Sequence, residues 1–198
     1  RPAARRRAVG PPRRASASAA WRRVDGGAHV REPLLRSTSP RGVVHFIGGA
    51  LLGAAPHVTY EVFLDELVQA GYAVVATGYN LTFRHLDCAA EVADSRDRAL
   101  AAMGVAVAGS GAGAPGASRE LPLYGVGHSN GALLHALMGA TGRGGGAVAN
   151  ALLSFNNKPV SEAVPGGLPE GAAGAAGPLA DALASAPQPP PLPPLADA

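Results

Sequence analysis

Between Gly42 and Phe155 short apolar runs of strand length alternate with helical stretches, and that alternation narrows the fold more than any other property of the chain. Val43-Val44-His45-Phe46-Ile47 is a β-branched and aromatic run closed by Gly48-Gly49, which reads as a strand. Tyr60, Phe63, Leu64, Leu67 and Val68 then recur at helical spacing, with Glu61, Asp65, Glu66 and Gln69 between them. This predicts an amphipathic helix over Tyr60 to Ala70, with Thr59 as N-cap and Gly71 as the stop. A second strand is expected over Tyr72 to Thr77, ending in Gly78-Tyr79-Asn80, and an alanine-rich helix over Leu86 to Met103 with Asp87 near its start. Leu121 to Val126 predicts a third strand, Ala132 to Met138 a helix, and Ala147 to Phe155 a fourth strand ending in Asn156-Asn157-Lys158. The order β-α-β-α-β-α-β with short connections predicts a three-layer α/β fold built on a parallel sheet. In such sheets ligands bind at the carboxyl ends of the strands. Gly48-Gly49-Ala50, Tyr79-Asn80, Ser129 and Asn156-Asn157 all fall at those ends.

The third strand runs into Gly127-His128-Ser129-Asn130-Gly131 and then a helix. This is the sequence form of the α/β-hydrolase turn that holds a nucleophilic serine above a sheet. A serine there occupies a strained backbone conformation, and side chains two residues to either side would collide where strand and helix approach. Glycine is so abundant, at 27 of 198 residues, that the motif alone is weak evidence, but its place in the alternation raises it above chance. Acyl transfer needs an activated hydroxyl, a base, an orienting acid and donors for the oxyanion. Ser129 is the candidate nucleophile. The backbone N–H of Asn130, and an N–H at Gly49 or Ala50 in the loop after the first strand, are the candidate oxyanion donors. The same loop also reads as a tight turn, and its spacing matches neither a dinucleotide nor a P-loop motif.

No base can be named. In this fold the triad runs Ser, then Asp or Glu, then His, yet the last histidine is His135, six residues after Ser129. His128 is expected to point into the packing beneath the turn, His135 to pack from its helix, and His45 to be a core histidine. His57 and His85 are expected in loops near the strand ends, where either could enter the site as a base. Asp94 and Asp97 read as solvated helix faces, and Glu162 as a loop carboxylate that also stands near an orienting position. Cys88 reads as a helix residue with no nucleophile argument attached, and one cysteine leaves neither an internal disulfide nor a cysteine-cluster metal site. No cofactor or metal is called for.

Charge separates the ends from the middle. Residues 1–23 carry eight arginines and no acid, whereas the rest carries nine basic and fourteen acidic residues. A nucleic-acid role therefore has little support in the folded part. The first 20 residues read as disordered, as a transit-peptide remnant or else a phosphate-touching arm, and the absence of an initiator Met as a fragment or processed product. Residues 21–40 are expected to form one or two edge strands. Gly104 to Ser118 reads as a flexible low-complexity insert, and residues 165–198 as a disordered Ala/Gly/Pro-rich tail whose Pro187 to Pro194 run also offers a polyproline surface. No apolar run is long enough to span a bilayer.

Taken together, several segments resemble the domain-of-unknown-function family 1350, α/β-hydrolase-like proteins of cyanobacteria and plastids. They are Gly42 to Ala50, Ala54 to Tyr60, Gly71 to Thr77, Thr82-Phe83-Arg84-His85, Gly127 to Gly131, and Leu153-Ser154-Phe155-Asn156-Asn157-Lys158-Pro159. The resemblance covers roughly Trp21 to Val164. It implies an α/β-hydrolase fold and, with the arginine-rich start, a plastid location. The insert and the tail after Pro165 depart from the family, so the sheet is expected to stop after the strand that follows the serine helix, in a soluble protein. The resemblance supplies no reaction. The functional reading is a serine hydrolase or acyltransferase acting on a small-molecule or lipid-like ester or thioester through Ser129. The alternative is a non-catalytic hydrolase-fold binding protein.

Overall fold

The computed structural model describes residues 19–34, 39–50, 52–80, 82, 84–109 and 116–155. The strands are β1 (Arg22–Arg23), β2 (Ala28–Arg31), β3 (Val43–Ile47), β4 (Ala73–Thr77), β5 (Val105–Val107), β6 (Arg119–Leu121), β7 (Leu123–His128) and β8 (Ala149–Leu153). The helices are α1 (Pro56–Thr59), α2 (Glu61–Gln69), α3 (His85–Ala102) and α4 (Asn130–Ala140), with a 3₁₀ turn at Leu52–Ala54. Six strands form the main sheet in the order β1-β2-β4-β3-β7-β8. The four strands from β4 to β8 run parallel, and β1 and β2 are antiparallel additions beyond β4. This is the expected α/β architecture, a mostly parallel sheet between layers of helices.

Every residue of β3 and β4 is buried, because helices cover both faces of the sheet. Side chains alternate across a strand, so Phe46, Val74 and Ala76 point to one face and meet Leu64 and Val68 of α2. Ile47 points to the other face, into a cluster with Val92 of α3 and Leu134 and Met138 of α4. Val43, Ala73 and Val75 share that second face with Ala99, Leu100 and Met103 at the end of α3. The N-terminal strands are tied to the first layer by Arg31, which pairs with Asp65 at 3.4 Å and Glu61 at 4.0 Å.

Several boundaries differ from the sequence expectation. Thr59 does not cap α2. It ends the short helix α1, and its hydroxyl donates to the carbonyls of Leu52 and Ala55 at 2.8 and 3.1 Å. Leu121 belongs to β6, because Pro122 lacks an N–H and separates it from β7, which extends through Gly127 and His128. The insert is not wholly irregular, since Val105–Val107 pairs in parallel with Arg119–Leu121 as a separate two-stranded sheet. Residues 110–115 lie outside the described residues. Of the two N-terminal strands only β1 is an edge, because β2 sits between β1 and β4. The strand β8 is exposed along its whole length, with Leu152 and Leu153 open to solvent. Residues 1–18 of the expected disordered start, the tail, Asn156-Asn157-Lys158 and Glu162 lie outside the described residues. Among the described residues, no helix is long and apolar enough to cross a membrane.

The burial pattern of α2 yields a paired prediction. Leu64 is 0% exposed and Val62 63% exposed on the same helix. Leu64→Ala is expected to cost about 2–5 kcal/mol, and Val62→Ala under about 0.5 kcal/mol. Urea unfolding of the two variants measures the difference.

Candidate functional site

The last residues of β7 lead straight into α4, and the chain turns between them at Ser129 with φ 54° and ψ −116°. A non-glycine residue with positive φ is uncommon and costs roughly 1–3 kcal/mol, so the surroundings must enforce it. They do so by close approach. A Cβ on Gly127 would stand 2.5 Å from the carbonyl oxygen of Gly131 and 2.6 Å from the nitrogen of Ala132. A Cβ on Gly131 would strike the Ile47 carbonyl oxygen and lie 2.5 Å from that of Gly48. The two glycines flanking the turn thus let α4 rest on β7 and on the end of β3. The Ser129 N–H donates to the carbonyl of Leu153 at 2.9 Å, which anchors the turn to β8 as well.

The loop after β3 is pressed against this turn. A methyl group on Gly49 would lie 3.2 Å from His128 Nδ1, 3.3 Å from the Tyr60 hydroxyl and 3.5 Å from Ser129 Cβ. Gly48 and Gly49 are therefore adjacent to the serine, as expected. The Gly49 N–H, however, donates to the Tyr60 hydroxyl at 2.9 Å, and His128 Nδ1 lies 2.9 Å from the same oxygen. A second tyrosine braces the other side. The buried Tyr79 hydroxyl donates to the Gly48 carbonyl at 3.1 Å and accepts from Asn130 Nδ2 at 3.0 Å. Burial holds the Tyr79 phenol proton well above its ordinary range, so it stays a donor. Asn130 is the first residue of α4, where backbone N–H groups lack helical partners. Asn130 combines a buried side chain that locks the loop with an N–H at the start of the helix.

Sequence reasoning placed Tyr79 at the carboxyl end of its strand without its bonds to Gly48 and Asn130, and it missed the role of Tyr60. Tyr60 reads there as one apolar position on a helix face, and its ring does pack on Phe46 at a centroid distance of 4.8 Å. Its hydroxyl acts across a gap of 68 residues, which no local pattern reveals.

The histidines go elsewhere. His45 is 1% exposed in β3, bonds Thr77 Oγ1 at 3.0 Å, and stands edge-on to His135 at 5.0 Å. His135 faces β7 at Gly125, where a Cβ would lie 2.8 Å from its ring. Burial pushes the His135 pKa down to about 4 and that of His45 well below its usual value, with the buried Arg96 guanidinium adding to both. Both are packing residues, as expected. His57 and His85 were expected in loops, but His57 lies in α1 and His85 opens α3. The sites are helical because Pro56 starts one turn and Asp87 supports the first turn of the other. His57 stacks face to face on His29 at 3.5 Å, and Trp21 meets it edge-on. Among the described residues no histidine or carboxylate is hydrogen-bonded to the Ser129 hydroxyl, which also makes no capping bond to α4. Cys88 is buried in α3 and its thiol pKa is raised by burial to about 11. Asp94 and Asp97 are more than half exposed and pair with Arg143 and Arg96. Among the described residues no group of three or more His, Cys, Asp or Glu side chains could hold a metal ion. A polar cavity of about 520 Å³ opens beyond the carboxyl end of β4, lined by Asn80, Thr82, Arg84, Asp87, Cys88 and Glu91 among others.

Two predictions follow from the packing. Gly131→Ala is expected to destabilise by about 3 kcal/mol. Gly139→Ala, in the same helix but with nothing within 4 Å of its Cβ, is expected to stabilise by about 0.5–1 kcal/mol; thermal unfolding separates them. The buried His135 and the half-buried His29 make stability fall as pH drops. His135 and His29 titrate near 6.5 when unfolded but near 4 in the fold. Between those values only the unfolded chain takes up the protons, so stability is complete above pH about 6.5 and declines towards pH 4. His135→Gln is expected to flatten part of that decline, measured as the urea midpoint against pH.

Among solved structures, the chain is similar to esterase B from Lactobacillus rhamnosis at 17% identity and TM-score 0.45, over 69% of this chain and 46% of that one. It is also similar to brefeldin A esterase, a bacterial homologue of human hormone sensitive lipase, at 18% identity and TM-score 0.43, over 74% and 42%. A Rhizomucor miehei esterase matches at 17% identity and TM-score 0.49, over 74% and 46%. The chain thus spans less than half the length of these structures. No curated protein matches the sequence. The family model described as protein of unknown function, DUF1350, matches residues 20–178. The strained serine turn and its glycine loop therefore stand in a chain that belongs to the DUF1350 family.

Proposed function

We propose that this protein is a serine hydrolase or acyltransferase that acts on an ester or thioester through Ser129. The observation that carries the reading is the backbone at Ser129, held at positive φ between a parallel strand and a helix and pressed against a glycine loop. Strain of this kind concentrates at functional sites, and the turn lifts a hydroxyl to the carboxyl end of the sheet. In the proposed reaction Ser129 Oγ bonds to the carbonyl carbon and the π pair moves to the carbonyl oxygen. That oxyanion lies by the N–H of Asn130 and the loop at Gly49 and Ala50. The pair then returns and the bond to the alcohol or thiol breaks, the leaving group taking up the proton that Ser129 lost. The acyl group stays on Ser129 until water or a second acceptor removes it by the same two steps. The hydroxyl proton needs a base, and the described histidines do not supply one, so base and orienting acid are to be sought outside the described residues. The arginine-rich, acid-free residues 1–23 support a plastid location.

The second reading, a non-catalytic binding protein of the same fold, is favoured by one observation. His45, His57, His128 and His135 are all engaged with partners other than Ser129. A fluorophosphonate probe decides between the two. The intact protein is expected to form a covalent adduct at Ser129 that is absent in Ser129→Ala. Equal labelling of both, or none of either, overturns the hydrolase reading.

A further inference from the structure

Stabilising an oxyanion in the proposed reaction takes donors aimed at one point, yet the Gly49 N–H already donates to Tyr60. The Tyr60 oxygen is 2.9 Å from Gly49 N and 2.9 Å from His128 Nδ1. A backbone N–H can only donate, so it occupies one lone pair of the phenol. The contact with His128 then has two settings. With the proton on Nδ1, His128 also donates, the phenol accepts twice, and its own O–H is free to point away from both. With the proton on Nε2, the phenol O–H is spent on His128.

We propose that His128 carries its proton on Nδ1 and that the Tyr60 hydroxyl is an oxyanion donor, replacing the Gly49 N–H that it covers. The proposal rests on Ser129 being the nucleophile. Position supports it, because a Cβ built on Gly49 would meet both the Tyr60 oxygen, at 3.3 Å, and Ser129 Cβ, at 3.5 Å, so the phenol oxygen and the serine stand on the same side of the loop. Rigidity supports it too. The ring is packed on Phe46, and Tyr60 is the residue where α1 ends and α2 begins. A phenol that accepts two hydrogen bonds is polarised into a stronger donor. As Ser129 Oγ bonds to the carbonyl carbon, the π pair moves to oxygen and the hydrogen bond from Tyr60 shortens. As the pair returns and the leaving group departs, that bond lengthens again. Tyr60 keeps its proton throughout. His128 does not touch substrate in this scheme and is a positioning residue.

The test uses the intact protein and a fluorophosphonate probe. The Oγ–P bond forms as the P–F bond breaks, fluoride and the hydroxyl proton leave to solvent, and the phosphoryl oxygen takes the place of the oxyanion. Tyr60→Phe is expected to slow labelling of Ser129 by about 10²–10³-fold with little change in the concentration of probe giving half-maximal rate. His128→Asn, whose amide can still donate, is expected to retain more of the rate than His128→Leu. Nitrogen-15 NMR of the wild-type protein is expected to place the His128 proton on Nδ1, a readout that holds even if Tyr60→Phe folds poorly. Labelling that persists in Ser129→Ala overturns the proposed function itself. Ser129-specific labelling at an unchanged rate in Tyr60→Phe overturns the role of Tyr60 alone, as does a His128 proton found on Nε2.

Discussion

Backbone meets backbone most tightly, among the described glycines, between the start of α4 and the end of β3, where Gly131 faces the carbonyls of Ile47 and Gly48 with no room for a Cβ. This contact sets the path of the chain on both sides. It brings the helix N-terminus over the carboxyl end of the sheet, and it forces the residue two positions earlier into positive φ because the strand has already ended at His128. Backbone-to-backbone packing of this kind cannot relax by a rotamer change, so strain at Ser129 is a consequence of how helix and sheet meet. The neighbouring loop then fills the remaining space, and two tyrosines from opposite faces of the sheet hold it by its Gly48 carbonyl and its Gly49 N–H.

The two faces of the sheet solve different problems. The α2 face is apolar at its centre and polar towards its rim, where Tyr60 meets His128 and Arg31 meets Asp65. The opposite face hides a polar layer under α3 and α4, in which His45, Thr77, His135 and Arg96 are all nearly excluded from water. Arg96 is partnered by Asp97 and by the Arg143 carbonyl, and the two imidazoles remain neutral at physiological pH because burial lowers their pKa. The layer is only partly paired: His45 Nε2 meets Thr77 Oγ1, whereas His45 Nδ1 and His135 Nε2 are buried without a hydrogen-bond partner among the described residues. It also removes two of the chain's six histidines from chemistry.

Much of this was legible beforehand. The strands at Val43 and Ala73, the helices at Glu61 and His85, and the serine turn with its glycines follow from periodicity and from the steric demand of a strand-turn-helix corner. Boundaries failed where one residue overrode a pattern. Pro122 split an apolar run into β6 and β7, and Pro56 started a helix that displaced Thr59 from the cap. The low-complexity insert hid a short parallel pair because Val-Ala-Val carries too little signal over three residues. The site was half visible. Glycine spacing and strand ends pointed to Ser129, Gly49 and Tyr79 as neighbours at one end of the sheet, but not to Tyr60 or to the hydrogen bonds that engage the loop.

The amino-acid sequence by itself determined the layer order and the identity of the turn, because alternation and glycine spacing are local properties of the chain. Tertiary structure decided which hydroxyls and imidazoles meet there. Tyr60, Tyr79, His128 and Asn130 come together only when β3, β4 and β7 lie side by side and their carboxyl ends converge. The physical reason is distance along the chain. A hydrogen bond depends on positions within a few tenths of an ångström, and residues tens of positions apart acquire those positions only from the packing of the whole sheet.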